Sequence, residues 1–121
     1  MGKSIFSIAI REAVKGRASG CCEYCMSQDR YSPNVFTIDH ILPESLGGSK
    51  DLENLAYACF LCNRLKSNKL KTIDLATDVW VSLFNPRIDV WKDHFSWSDD
   101  LTVIIGISMT GRATVSALQL Y

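Results

Sequence analysis

Five cysteines occur in the chain, and four of them form two Cys-x-x-Cys pairs, "CEYC" (Cys22 to Cys25) and "CFLC" (Cys59 to Cys62). Two intervening residues let both sulfurs of a pair turn toward one ion while nearby backbone N–H groups hydrogen-bond to them. Two such pairs can deliver four thiolates to one tetrahedral metal, so Cys22, Cys25, Cys59 and Cys62 are expected to hold a structural Zn²⁺. Cys21 is the odd thiol, with a poorer spacing to Cys25, and is expected to stay free. A redox use of the pairs would need a thioredoxin-like βαβ pattern, which is absent. Four thiolates leave no open coordination position, so this zinc organises and chemistry must sit elsewhere. Between the pairs, "FTIDHILPESLGGSKDLENL" places His40, one of only two histidines, directly after Asp39.

Those side chains need elements to hold them. Ile5, Ile8, Ala9, Val14 and Ala18 recur with rough helical periodicity over 5–18, and Gly20 suits a stop. "VFTID" is β-branched and aromatic and reads as a strand entering the His40 position. In "HILPESLGGSKDLEN", Pro43, Gly47 and Gly48 forbid a regular element. "LAYAC" reads as a second short strand and "FLCNRLKSNK" as a helix. The expected class is α+β: a small ββ-plus-helix unit wrapped on a metal. Further on, "VWVSLF", "FSW" and "LTVIIGIS" are strand-like, "NPR" and "SDD" are turns, and "TGRATVSALQLY" is helical. The expected division is residues 1–72, a helix plus the zinc-stapled core, and residues 73–121, a β-rich extension. Trp80, Trp91 and Trp97 are expected in the core, and His94 packed among Trp91, Phe95 and Trp97.

Charge adds a second clue. Thirteen basic and thirteen acidic residues cancel, which does not advertise a nucleic-acid partner. Their distribution does more, because "RLKSNKLK" concentrates Arg64, Lys66, Lys69 and Lys71 just after the second cysteine pair. No apolar run approaches the roughly 18 residues of a membrane span, and the N-terminus shows no A-x-A cleavage site. An odd cysteine count dominated by Cys-x-x-Cys suits a reducing compartment. A cytoplasmic protein without a membrane partner is expected.

The combination of "CEYC", "IDHILP", the glycine pair, "NL", "CFLCN" and a lysine at 66 resembles the HNH endonuclease family, over residues 17–69. The stretch from "LFNPRIDVWKDHFSW" to "GRATVSALQL" also looks like an extension carried by one bacterial branch of that family. The resemblance implies a zinc-stapled ββα-metal fold and metal-dependent hydrolysis of DNA, nicking one strand per active site as a monomer or homodimer. It implies His40 as general base, since imidazole titrates near neutrality. It implies Mg²⁺ or Mn²⁺ held by the hard oxygens of Asp39 and Asn63. Asn54 would belong to the catalytic set by bonding across the Pro43–Gly48 loop and orienting His40. Lys66, Arg64 and Lys69 would meet substrate phosphates, with Arg17 a weaker candidate. Many relatives carry histidine where Asn63 stands, and the amide points to a hard, oxygen-loving ion. The rival is a non-catalytic zinc-ribbon that binds nucleic acid, which has no reason to assemble Asp39, His40 and Asn63.

Overall fold

The computed structural model describes residues 6–120; Ile5, the first position of the N-terminal periodicity, and Tyr121 lie outside the described residues. The chain divides between Phe60 and Leu61 into two compact units.

In the first unit, helix α1 (Ile8–Arg17) starts where the Ser7 hydroxyl accepts a hydrogen bond from the Ile10 amide, at 3.1 Å. Lys15 and Arg17 occupy its last turn, where cations suit the helix dipole. The chain then reverses through Ser19 and Gly20, both at positive φ. Val14 is fully buried, whereas Ile8 is exposed, so the inward face begins later in the helix than the periodicity suggested. Strand β1 (Thr37–His40) pairs antiparallel with β2 (Leu55–Ala58), setting Ile38 opposite Tyr57 and His40 opposite Leu55. All four residues of β2 are buried.

Arg17 crosses from α1 to this hairpin, donating to the carbonyls of Leu52 at 3.0 Å and Leu55 at 2.6 Å. Between the strands the loop is irregular apart from 3-10 turns at Glu44–Leu46 and Leu52–Asn54. The glycine pair is required twice over. Gly47 sits at φ 93°, and a Cβ on Gly48 would overlap the Leu42 carbonyl oxygen and lie 2.9 Å from Asn54 Nδ2. The unit boundary falls inside helix α2 (Phe60–Lys66), which follows Cys59 immediately, so along the chain the expected strand, loop, strand, helix order is present.

In the second unit, β3 (Lys71–Asp74) and β4 (Val79–Ser82) form an antiparallel hairpin. A single helical turn, α3 (Trp91–His94), leads into a second hairpin of β5 (Phe95–Trp97) and β6 (Ile104–Gly106). Helix α4 (Met109–Leu118) is capped by Ser108, whose hydroxyl accepts from the Gly111 amide at 2.9 Å. Asp74 is buried and takes two hydrogen bonds from Arg112 of α4, at 3.0 and 2.9 Å. The Arg112 guanidinium, helped by the Thr77 hydroxyl, holds the Asp74 carboxyl down at about 2 against the opposing pull of burial.

In β3, Thr72 pairs with Val81 and Ile73 with Trp80, so residues 72 and 73 belong to one hairpin. One expectation changes here. Trp80 is not core. Side chains alternate across a strand, and with Asp74 turned to α4 the opposite face carries Ile73 and Trp80, leaving Trp80 66% exposed. Trp97 is also exposed in part, while Trp91 lies against Phe95 with centroids 5.1 Å apart. His94 is packed, with Nδ1 2.6 Å from the Ser108 hydroxyl and its ring edge-on to Phe84. Among the described residues, no helix is long and apolar enough to cross a membrane.

Candidate metal centre and active site

The four sulfurs of Cys22, Cys25, Cys59 and Cys62 all lie within 4.8 Å of one another. A Zn–S bond of about 2.3 Å in a tetrahedron sets sulfurs about 3.8 Å apart, and the Cys25 and Cys59 sulfurs are separated by 3.8 Å. The all-sulfur donor set suits zinc, with an iron–sulfur centre as the other chemistry that uses it. Cys22 and Cys62 are buried and the other two half-buried, as a closed structural site requires.

The sequence builds this cluster locally. The first pair sits on a tight knuckle in which the Cys22 amide donates to Ser27 O at 2.8 Å and the Met26 amide to Cys22 O at 2.9 Å. Met26 takes a positive φ to close it. The Cys25 amide approaches Cys22 Sγ at 3.5 Å, which stabilises thiolate charge. The knuckle docks on β2: Glu23 N–H donates to Tyr57 O at 2.9 Å, and Tyr57 N–H to Glu23 Oε2 at 2.8 Å. Cys21 stays outside the cluster, its sulfur 3.7 Å from the Ser19 carbonyl.

Asp39 and His40 close β1. Asp39 is buried, and its Oδ2 accepts a hydrogen bond from the Tyr24 hydroxyl at 2.8 Å. Burial first, and then the Asp39 carboxylate, push the Tyr24 phenol well up, so it remains a donor. Sequence reading passed over this tyrosine, whose one signal was its place inside "CEYC". The His40 ring lies 5.4 Å from the Phe6 ring between centroids, and its Nε2 is 3.8 Å from Glu44 Oε2. That separation is too long for a hydrogen bond and makes an ion pair only when the imidazole is protonated.

Asn54 spends its amide on the loop. Oδ1 accepts from Leu42 N–H at 2.8 Å, and Nδ2 donates to Leu42 O at 3.0 Å and Ser49 O at 2.8 Å. Its backbone carbonyl accepts from the Ile41 amide at 2.9 Å. Asn54 thus pins the chain leaving His40 through bonds across the Pro43–Gly48 loop. Asn63 follows Cys62 on α2 and is half-buried. The basic candidates split: Arg64 and Lys69 are exposed, whereas Lys66 is only 2% exposed and is engaged within the protein. Arg17 is committed to the carbonyls of Leu52 and Leu55.

Residues 22–69 match the family model described as HNH endonuclease. This segment is an HNH endonuclease domain. The match opens at Cys22 and closes at Lys69, taking in both cysteine pairs, Asp39, His40, Asn54 and Asn63. The C-terminal stretch expected to share the resemblance lies outside it. No curated protein and no solved structure matches the chain. In this segment, two cysteine pairs that could hold a metal ion thus precede and follow in sequence the β1–β2 hairpin that carries Asp39 and His40.

Proposed function

We propose that the HNH domain is a divalent-cation-dependent DNA endonuclease that cuts one strand per engagement. The observation that carries this reading is the buried Asp39 carboxylate beside His40 on a hairpin whose flanks are clamped by four clustered cysteines. A zinc-ribbon that only binds has no use for a desolvated carboxylate next to a histidine, because burying an ionised group costs free energy.

The four-sulfur cluster fits Zn²⁺, which Cys22, Cys25, Cys59 and Cys62 would hold in a structural role. By donor chemistry alone, the oxygens of Asp39 and Asn63 would suit Mg²⁺ or Mn²⁺. When bound, that cation polarises the scissile phosphate and stabilises the departing 3′ oxygen. His40 takes the proton from the attacking water, and the Phe6 ring on one side limits its rotation. Asn54 keeps the loop after His40 in register through its three side-chain bonds. Arg64 and Lys69, both exposed, contact the phosphate backbone without reading sequence.

The test is relaxation of supercoiled plasmid with Mg²⁺ or Mn²⁺ against EDTA, run beside linear and single-stranded DNA. Open-circle product that needs the cation is expected. DNA retention with no cleavage in either cation would make the protein a binding module.

A further inference from the structure

We propose that Tyr24 is a positioning residue for the catalytic cation, fixing the Asp39 carboxylate from inside the first Cys-x-x-Cys loop. The proposal rests on Asp39 being a cation ligand, as proposed above. Tyr24 is fully buried, and its hydroxyl lies 2.8 Å from Asp39 Oδ2. A tyrosine whose ring alone was needed for packing would not have to aim its hydroxyl at a buried carboxylate.

Both ends of this hydrogen bond are held by the backbone. Tyr24 lies between Cys22 and Cys25, two members of the sulfur cluster. Its neighbour Glu23 is tied to β2 by two bonds to Tyr57. Asp39 is fixed in β1, opposite Ala56. A tyrosine has only two side-chain torsions, so little freedom remains in the span from sulfur to phenol to carboxylate. An ionised carboxylate has about four lone-pair sites, and a bond at Oδ2 sets its plane while leaving acceptor capacity for a cation. The zinc knuckle thereby does more than hold the hairpin together: through one phenol it sets the orientation of an oxygen ligand. Loss of such an outer partner typically weakens metal affinity or activity by about 10–100-fold.

The experiment uses the zinc-loaded full chain as wild type, Tyr24→Phe and Asp39→Asn. Mn²⁺ binding is measured directly by electron paramagnetic resonance, and the Mn²⁺ concentration for half-maximal plasmid nicking is measured in parallel. For Tyr24→Phe, unchanged zinc content, Mn²⁺ binding weaker by about tenfold and recovery of nicking at saturating Mn²⁺ are expected. A purely structural role would move the melting temperature and leave the cation affinity alone. If Asp39→Asn loses Mn²⁺ while Tyr24→Phe binds it like wild type, the Tyr24 role is overturned and the Asp39 assignment stands. If wild type holds no Mn²⁺, or Asp39→Asn holds it unchanged, the Asp39 assignment itself fails. Should Tyr24→Phe lose its zinc, the wild type decides: in ring-labelled protein the Tyr24 resonances are expected to shift as Mg²⁺ saturates, and unmoved resonances overturn the proposal.

Discussion

Replacing Asn54 by alanine removes three hydrogen bonds at once, from Leu42 N–H, to Leu42 O and to Ser49 O. Each intramolecular hydrogen bond is worth about 0.5–1.5 kcal/mol net, and at a solvent-accessible loop the lower half of that range applies. The sum is about 2 kcal/mol. At roughly 4–8 °C per kcal/mol for a small domain, the melting temperature of the zinc-loaded protein falls by on the order of 10 °C. Nicking falls with it, because the chain leaving His40 loses its register. Asn54→Asp sharpens the test by leaving an acceptor at Oδ1 and placing a second carboxylate oxygen against two carbonyls. The neutral acid is then favoured in the folded state, so this variant's folded pKa lies above the unfolded value. Its stability is best below about pH 4 and declines as pH rises. The assay is thermal unfolding followed by circular dichroism, with plasmid nicking on the same samples. An Asn54→Ala protein that melts like wild type but no longer nicks would refute the pin and put Asn54 on the substrate side.

Cys59→Ser is expected to lose the metal and unfold the first unit, measured by zinc content and far-ultraviolet circular dichroism; an unaltered melting curve would contradict a structural metal. Asp74, held at about 2 by Arg112, sits below its ordinary value, so its stabilisation is present above about pH 4 and is lost as pH falls toward 2. Asp74→Asn should flatten the acid limb of the melting temperature against pH, while Asp29 and Asp100, also lowered, keep part of it. Trp80→Ser on the exposed face of β4 is expected to change stability by no more than about 0.5 kcal/mol; a large loss on denaturant titration would put Trp80 back in the core.

What the sequence made legible was local. The Cys-x-x-Cys spacing is short enough that two sulfurs must share a neighbourhood, and the tetrad followed. "VFTID" and "LAYAC" are dense in strand formers; β2 falls within the second, and β1 overlaps the first and runs on to His40. The glycine pair announced a conformation no other residue holds, and both glycines are needed. The failures were long-range. Strand β3 begins in a stretch that reads as a basic run, and only its pairing with β4 makes Lys71–Asp74 a strand. The periodicity of "VWVSLF" shows two faces without showing which one α4 covers, so Trp80 was misplaced. Lys66 looks like every other lysine in "RLKSNKLK" until the fold buries it. The Tyr24–Asp39 bond joins two elements that no spacing rule connects.

The whole account turns on an imidazole that does chemistry inside a frame it does not hold up. The most direct test is His40→Ala, assayed for plasmid nicking in saturating Mg²⁺ while zinc content and melting temperature are recorded on the same preparation. Loss of a general base costs about 10²–10⁴-fold in rate, so the account predicts nicking reduced by at least that lower figure with the metal retained and the melting curve close to wild type. Undiminished nicking by the zinc-loaded variant would contradict it.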